Sequence, residues 1–196
     1  MHRDTALPTF RLDSGVSIAQ AAPWNNQPVT LDSPAIEVMT DLTLVKAATV
    51  HPGTSLRQAE QMMIFQGVRM LFVVTEMPLI EGLVTSTDLH GDRQLRLVHD
   101  DHLRYDDLRV SDVMSALPTL EAIAFEDLRI ASVGNMIATL KRCGHNHMLV
   151  VQRAGAETPR RVRGVISRAQ IERQLGEAIT LTPIASSFSE INRALA

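Results

Sequence analysis

Two stretches of this 196-residue chain set a hydroxyl and a second polar side chain three residues apart, behind a glycine and two apolar residues. They are Gly82-Leu-Val-Thr85-Ser-Thr-Asp88-Leu and, 82 residues later, Gly164-Val-Ile-Ser167-Arg-Ala-Gln170-Ile. In each, a short strand runs into the hydroxyl and a helix leaves it. An ionised carboxylate only accepts hydrogen bonds, and does so with charge-assisted strength. At the start of a helix, Thr85 can accept from backbone N–H groups, and Asp88 favours the positive end of the peptide dipoles. A local cap of about 1 kcal/mol needs no more than that. The same two side chains also suit a ligand-facing pair. Gln170 in the second copy still accepts, but it lacks the charge and must orient its donor end as well.

Other chemistry-bearing residues are sparser. His145 and His147 flank Asn146 just after a helix stop and lead into a strand, so the two imidazoles share a face. They suit either a structural role or the edge of a cleft. Arg160, Arg161 and Arg163 fall on a hairpin next to Arg168, as a solvated face or as a holder of phosphates. His99, Asp100, Asp101 and His102 on a charged connector resemble metal ligands in type, but nothing in their spacing fixes a coordination geometry. Cys143, the single cysteine, lies in an apolar helical stretch and reads as a small buried hydrophobe. Met62, Met63, Met70, Met136 and Met148 read as core fill. The sequence holds no nucleophile with a partnered base, no glycine-rich P-loop and no metal quartet, so an enzyme is not expected.

The elements around these residues repeat. Glu37-Val-Met39-Thr40 and Asp112-Val-Met114-Ser115 open two parallel passages. In the first, Ser55 with Gln58 is a capping-box pattern at the start of a helix over 56–65, and Gly67 is its stop. Strands follow over 70–74 and 82–84 around a turn at Met77-Pro78, then a helix from Ser86 to about Leu97. In the second, Asp127 is expected to cap one long helix over 128–142 with Gly144 as stop. Strands over 148–151 and 162–166 follow, with a polar loop between them. The last helix, 168–175, stops at Gly176. The expected division is an extended arm at 1–35, repeats at 36–97 and 111–176, a connector at 98–110 and a tail at 177–196. Trp24, the only tryptophan, is read as an anchor of the arm.

Bulk properties bound the reading. Hydrophobic residues make up 45% and charged residues 21% of the chain, as in ordinary globular proteins. The net charge of −3 and the lack of a long basic run argue against general nucleic-acid binding. No apolar run is long enough to span a bilayer, and the N-terminus lacks a signal-peptide pattern. The expectation is a cytoplasmic protein without membrane insertion.

Taken together, the two Val-Met-Thr/Ser starts, the helix-strand-strand-helix order and the Gly-apolar-apolar-Thr/Ser-x-x-Asp junction resemble the CBS-domain family, specifically a tandem CBS pair or Bateman module. The resemblance covers roughly residues 36–176. It implies an α/β (α+β) fold of two β-α-β-β-α repeats packed about a pseudo-twofold axis, with two clefts. It also implies an adenosine-containing ligand: AMP, ADP or ATP, with S-adenosylmethionine or NADH as further candidates and no required cofactor. In this family the carboxylate takes both ribose hydroxyls, and a helix N-terminus favours a nearby phosphate.

Carried over, Thr85 and Asp88 form the ribose end of the first cleft. Arg69 supplies a phosphate contact, Met70 packs on the purine, and Ser115 and Thr119 form the opposite wall. A second, weaker site is assigned to Thr40, Ser167, Arg168, Gln170 and His147. The resemblance further implies a homodimer and an unidentified regulated protein. The competing expectation is a ligand-free scaffold acting through dimerisation and its N-terminal arm.

Overall fold

The computed structural model describes residues 8–11, 14, 27–91, 94, 97, 104–153, 155 and 158–180. Trp24, the His99–His102 cluster and the tail beyond residue 180 lie outside the described residues, as does most of the stretch expected to carry a helix on to Leu97.

Eight short strands make two four-stranded sheets. They are β1 (Met39–Asp41), β2 (Thr49–Val50), β3 (Met70–Val73), β4 (Gly82–Thr85), β5 (Ser115–Ala116), β6 (Ala122–Ala124), β7 (His147–Gln152) and β8 (Arg161–Ser167). The sheet orders are β2-β3-β4-β5 and β1-β8-β7-β6. Each repeat therefore sends its opening strand to the other repeat's sheet. β1 pairs antiparallel with β8, Thr40 opposite Val165, and β5 pairs antiparallel with β4, Ser115 opposite Leu83.

The exchange extends upstream of both strands. The Ala35 N–H bonds the Ala131 carbonyl and the Val133 N–H bonds the Ser33 carbonyl, while the Val110 and Ser111 N–H groups bond the carbonyls of Thr54 and Pro52. The boundaries expected at 35/36 and 110/111 thus fall inside the two exchanged segments. Val29 is buried in the second repeat's core, its N–H bonded to the Gln174 carbonyl, so this end of the arm is built into the fold.

The two motif glycines follow from the exchange. A Cβ on Gly82 would collide with the Ser115 carbonyl oxygen and lie 3.2 Å from the Ala116 Cα. One on Gly164 would lie 2.7 Å from the Thr40 carbonyl oxygen and 2.6 Å from the Met39 sulfur. The crossing strands sit directly on positions where no side chain fits.

Helix α1 (Leu56–Gln66) has the Ser55/Gln58 capping box and the left-handed Gly67 stop, φ 65°, that its sequence announces. Its buried Leu56, Ala59 and Met63 repeat at helical spacing against β3 and β4. The expected long helix of the second repeat is two helices, α4 (Phe125–Ile130) and α5 (Val133–Cys143). Ser132 caps α5 through a full capping box with Asn135, ending the run that the apolar pattern had joined, and Asp127 caps nothing. With eleven residues each, α1 and α5 are equals rather than a short and a long copy. Helices α2 (Ser86–His90), α3 (Val110–Val113) and α6 (Arg168–Leu175) are the other α-helices with described bounds, and the described Gln94 and Leu97 are helical as well.

Each sheet covers its own helices with one face, in two separate apolar cores. Leu71, Val73 and Val84 in one, and Val150 and Ile166 in the other, are wholly buried, each contributing about 1.5–3 kcal/mol over an exposed position. The other faces meet in a third cluster of Met70, Phe72, Val74, Leu83, Leu149 and Val165. Strand alternation therefore turns Thr85, Ser115 and His147 toward the seam between the sheets.

Candidate functional site

At one end of that seam lies an open cavity of about 240 Å³, lined by Thr85, Asp88, Ser115, Thr119, His145 and His147 among others. Three pieces of chain build it. The β4–α2 junction brings Thr85 and Asp88. The exchanged strand β5 and the turn after it bring Ser115 and Thr119. The α5–β7 turn, Gly144 to His147, comes from the facing sheet.

Thr85 and Asp88 form the local cap that their spacing allows. Asp88 Oδ2 accepts from the Thr85 N–H at 2.8 Å and from its hydroxyl at 2.7 Å, and the Asp88 N–H donates back to Thr85 Oγ1 at 3.3 Å. Both bonds fall on one oxygen. The second, Oδ1, accepts nothing from the described residues and belongs to a side chain on the cavity wall. The cap thus orients the carboxylate and leaves half of its acceptor capacity unused.

On the facing wall the His145 Nε2 lies 3.4 Å from Glu121 Oε2, both side chains about half exposed. His147 is more enclosed. Burial pushes its imidazole below the ordinary 6.5; Asp88 opposes that, and Arg69 and Arg168 add to the depression. His147 is therefore held toward its neutral form. Thr119 donates its hydroxyl to the Ala116 carbonyl at 2.7 Å, which fixes its rotamer at the cavity edge.

The structure regroups the expected residues. Thr85, Asp88, Ser115 and Thr119 line this one cavity. His147, assigned to the second cleft, lines this cavity instead, and Arg69 and Met70, assigned here, do not. The reason lies in register. Met70 stands opposite Thr85 and His147 opposite Ser167, while Gly67 and Gly144 close the preceding helices. Met70 and His147 are thus equivalent positions, each pointing across the seam. The turn facing Asp88 comes from the second repeat, and the turn with Arg69 and Met70 holds the equivalent position relative to Ser167. Met70 itself is buried in the seam.

The second cleft departs from the first in more than one residue. Ser167 Oγ accepts from the Gln170 N–H at 3.1 Å. The Gln170 side chain instead bonds along its helix, its Nε2 donating to Gln174 at 2.8 Å and its Oε1 accepting from Arg173 at 3.0 Å. Gln174, itself buried, passes the chain on to the carbonyls of Gln27 and Glu37. Arg168 lies 3.6 Å from Glu172 one turn along. Thr40, half-buried on β1, occupies the wall position that Ser115 holds in the first cleft. Arg163 is neither a solvated arginine nor a free phosphate holder. It forms a 2.7 Å ion pair with the buried Asp41 and stacks 5.2 Å from the centre of the Phe125 ring.

Residues 35–91 match the family model of the CBS domain. That stretch is a CBS domain. The fold has the same relatives. A conserved protein of Pyrococcus horikoshii matches with 20% identity and a TM-score of 0.51 over 73% of this chain and 92% of that one. A CBS domain pair solved with 5′-methylthioadenosine and S-adenosyl-L-methionine matches with 17% identity and a TM-score of 0.50, over 76% and 98%. The CBS domain of a bacterial CNNM/CorC family Mg²⁺ transporter matches with 16% identity and a TM-score of 0.50, over 76% and 81%. At such identities the likeness is one of fold. The chain matches none of the curated proteins.

The α+β architecture with two exchanged repeats is therefore that of a CBS pair. Among the described residues no helix is long and apolar enough to cross a membrane, and no group of three His, Cys, Asp or Glu side chains could hold a metal ion. Glu121, Thr87 and Asn146 line the cavity without having been singled out in the sequence. The strand registers that bring them there are non-local, and only the pairing of His145 with His147 hinted at that wall.

Proposed function

We propose that this CBS pair is a regulatory module that binds an adenosine-containing ligand in the Thr85–Asp88 cavity and signals by a change of shape or of affinity for a partner. The observation that carries the reading is the Asp88 carboxylate. One oxygen is spent on the helix cap and the other accepts nothing from the described residues, on the wall of a cavity that also presents the hydroxyl-bearing Ser115 and Thr119. A carboxylate in that setting suits the vicinal hydroxyls of a ribose, with the purine against the apolar Leu83, Leu120 and Leu149 of the same cavity. AMP, ADP and ATP are the starting ligand set, with S-adenosylmethionine and NADH beside them. The solved complex of a CBS pair with two adenosyl ligands supports that choice of class.

The same reading carries a homodimer formed through exposed helix faces; Ile64 and Phe65 on α1 are 74% and 93% exposed. It gives the chain no catalytic role and a cytoplasmic setting. Calorimetric titration of the purified chain with these ligands, alongside Asp88→Asn, tests it. Asparagine can keep the cap to Thr85 but loses the charge and an acceptor, so binding should weaken while folding is retained. If no adenosyl compound binds, the reading fails, and the chain is better sought as a ligand-free scaffold through its protein partners.

A further inference from the structure

The two repeats differ in charge at equivalent positions beside their clefts. Asn146 lines the Asp88 cavity, and its equivalent in the other repeat, one residue before Met70, is Arg69. The equivalence rests on backbone as well: the Asn146 carbonyl accepts from the Arg168 N–H, just as the Arg69 carbonyl accepts from the Ser86 N–H, each at 2.9 Å. Asp88 in turn is matched by Gln170. One set of positions thus combines a carboxylate with an amide, and the other combines an amide with a guanidinium.

The rest of the cavity wall points the same way. Glu121 adds a second carboxylate, and among the described residues no lysine or arginine lines the cavity. His145 already sits beside Glu121, and enclosure holds His147 toward neutrality. Arg69 and Arg168 are within electrostatic reach of His147 but lie off the cavity wall. Helix α2 begins here, but it has only five residues, and its first turn already carries Asp88.

Phosphate recognition usually rests on arginine forks, lysines or an uncompensated helix N-terminus. This wall supplies none of them and sets two carboxylates in their place. We infer that the Asp88 cavity is selective for adenosyl ligands whose 5′ substituent is neutral or cationic, such as a nucleoside, a thioether or a sulfonium, and that it rejects polyphosphates. The inference rests on the adenosine reading above and narrows it.

The test is calorimetric titration of the full chain at pH 7.5 and low salt with adenosine, 5′-methylthioadenosine, S-adenosylmethionine, AMP and ATP, with ATP also used to displace bound 5′-methylthioadenosine. The phosphate-free ligands should bind at least about tenfold more tightly than ATP, with AMP between. Glu121→Gln should improve the affinity of ATP relative to adenosine by about threefold or more, and 0.5 M salt should narrow the same gap. ATP that binds this site within a factor of ten of adenosine, or a ratio unmoved by Glu121→Gln, overturns the charge selectivity and leaves the adenosine reading intact. If none of the five ligands binds, both fall together.

Discussion

The ion pair between Asp41 and Arg163 pins the exchanged strand β1 to its host sheet, and its removal should be costly. Asp41 Oδ2 lies 2.7 Å from Arg163 Nη2, with 8% of the aspartate and 28% of the arginine side chain exposed. Asp41 Oδ1 takes the Thr43 N–H at 2.8 Å and the Thr43 hydroxyl at 2.7 Å. Burial alone would raise the Asp41 carboxyl, but Thr43 and Arg163 together outweigh it and bring it below the ordinary 3.8. Asp41→Ala leaves a guanidinium, whose Nε has no partner among the described residues, unpaired over the Phe125 ring. Breaking a fully buried pair costs about 3–5 kcal/mol, and the solvent access of Arg163 places this one near about 3 kcal/mol. At this chain length that lowers Tm by about 6–12 °C. Urea unfolding of Asp41→Ala, Arg163→Met and the double variant completes a cycle in which the double should recover about 1–2 kcal/mol of the summed losses. A loss below about 1 kcal/mol for Asp41→Ala, or a double variant as unstable as the sum, would refute the pinning role. The contribution should be present above pH 3.8 and vanish as pH falls through the lower folded value, a loss absent from Asp41→Ala.

Gly82→Ala should cost about 1–3 kcal/mol in a chemical denaturation curve, because its Cβ meets the Ser115 backbone rather than a movable side chain. Gly164→Ala, against the Thr40 carbonyl and Met39, should cost a similar amount. His147 is depressed below 6.5, so the stability of its neutral form is complete above that value. Unfolding free energy should then fall by at most about 1.4 kcal/mol per pH unit as pH drops from there through the folded value, and His147→Asn should remove that slope from the acid limb of a Tm–pH profile. Without ligand, Asp88→Ala should lose about 1 kcal/mol, the worth of a helix cap, measured by thermal melting; a several-fold larger loss would mean that the carboxylate holds more than its cap.

What was legible in the sequence was local. The Ser55/Gln58 box, the stops at Gly67, Gly144 and Gly176, and the strand-to-helix junctions all depend on residues within one turn or one strand. The break before Ser132 had an equally local signal, Ser132 followed three residues later by Asn135, but the apolar residues on either side read as one helix. What failed was pairing at a distance. Nothing in Val-Met-Thr or Val-Met-Ser tells a strand to leave its own repeat, and the reason for Gly82 and Gly164 appears only once β5 and β1 lie across them. The site followed the same rule. Thr85, Asp88, Ser115 and Thr119 were grouped by the family resemblance, which sets the start of the second repeat against the first junction, whereas Arg69, Met70 and His147 changed clefts because their partners lie across the seam.

The exchange also determines what a ligand in the cavity could move. Thr85, Asp88, Ser115 and Thr119 belong to the β2-β3-β4-β5 sheet and its edge, and Gly144 to His147 belong to the other. Leu83 and Leu149, which meet in the apolar seam, also line the cavity. A molecule filling that space would touch both sheets and the residues that hold them face to face. A ligand shifts an equilibrium only as far as it binds one arrangement better than another, and a ribose held by Asp88 alone would ride with one sheet and discriminate nothing. Discrimination must come from the far wall, where His145, Asn146 and His147 approach from the second repeat. Substituting Asn146 or His147 should therefore reduce the response to ligand more than Asp88→Asn does at matched occupancy, because the aspartate supplies affinity while the second wall supplies the difference between states.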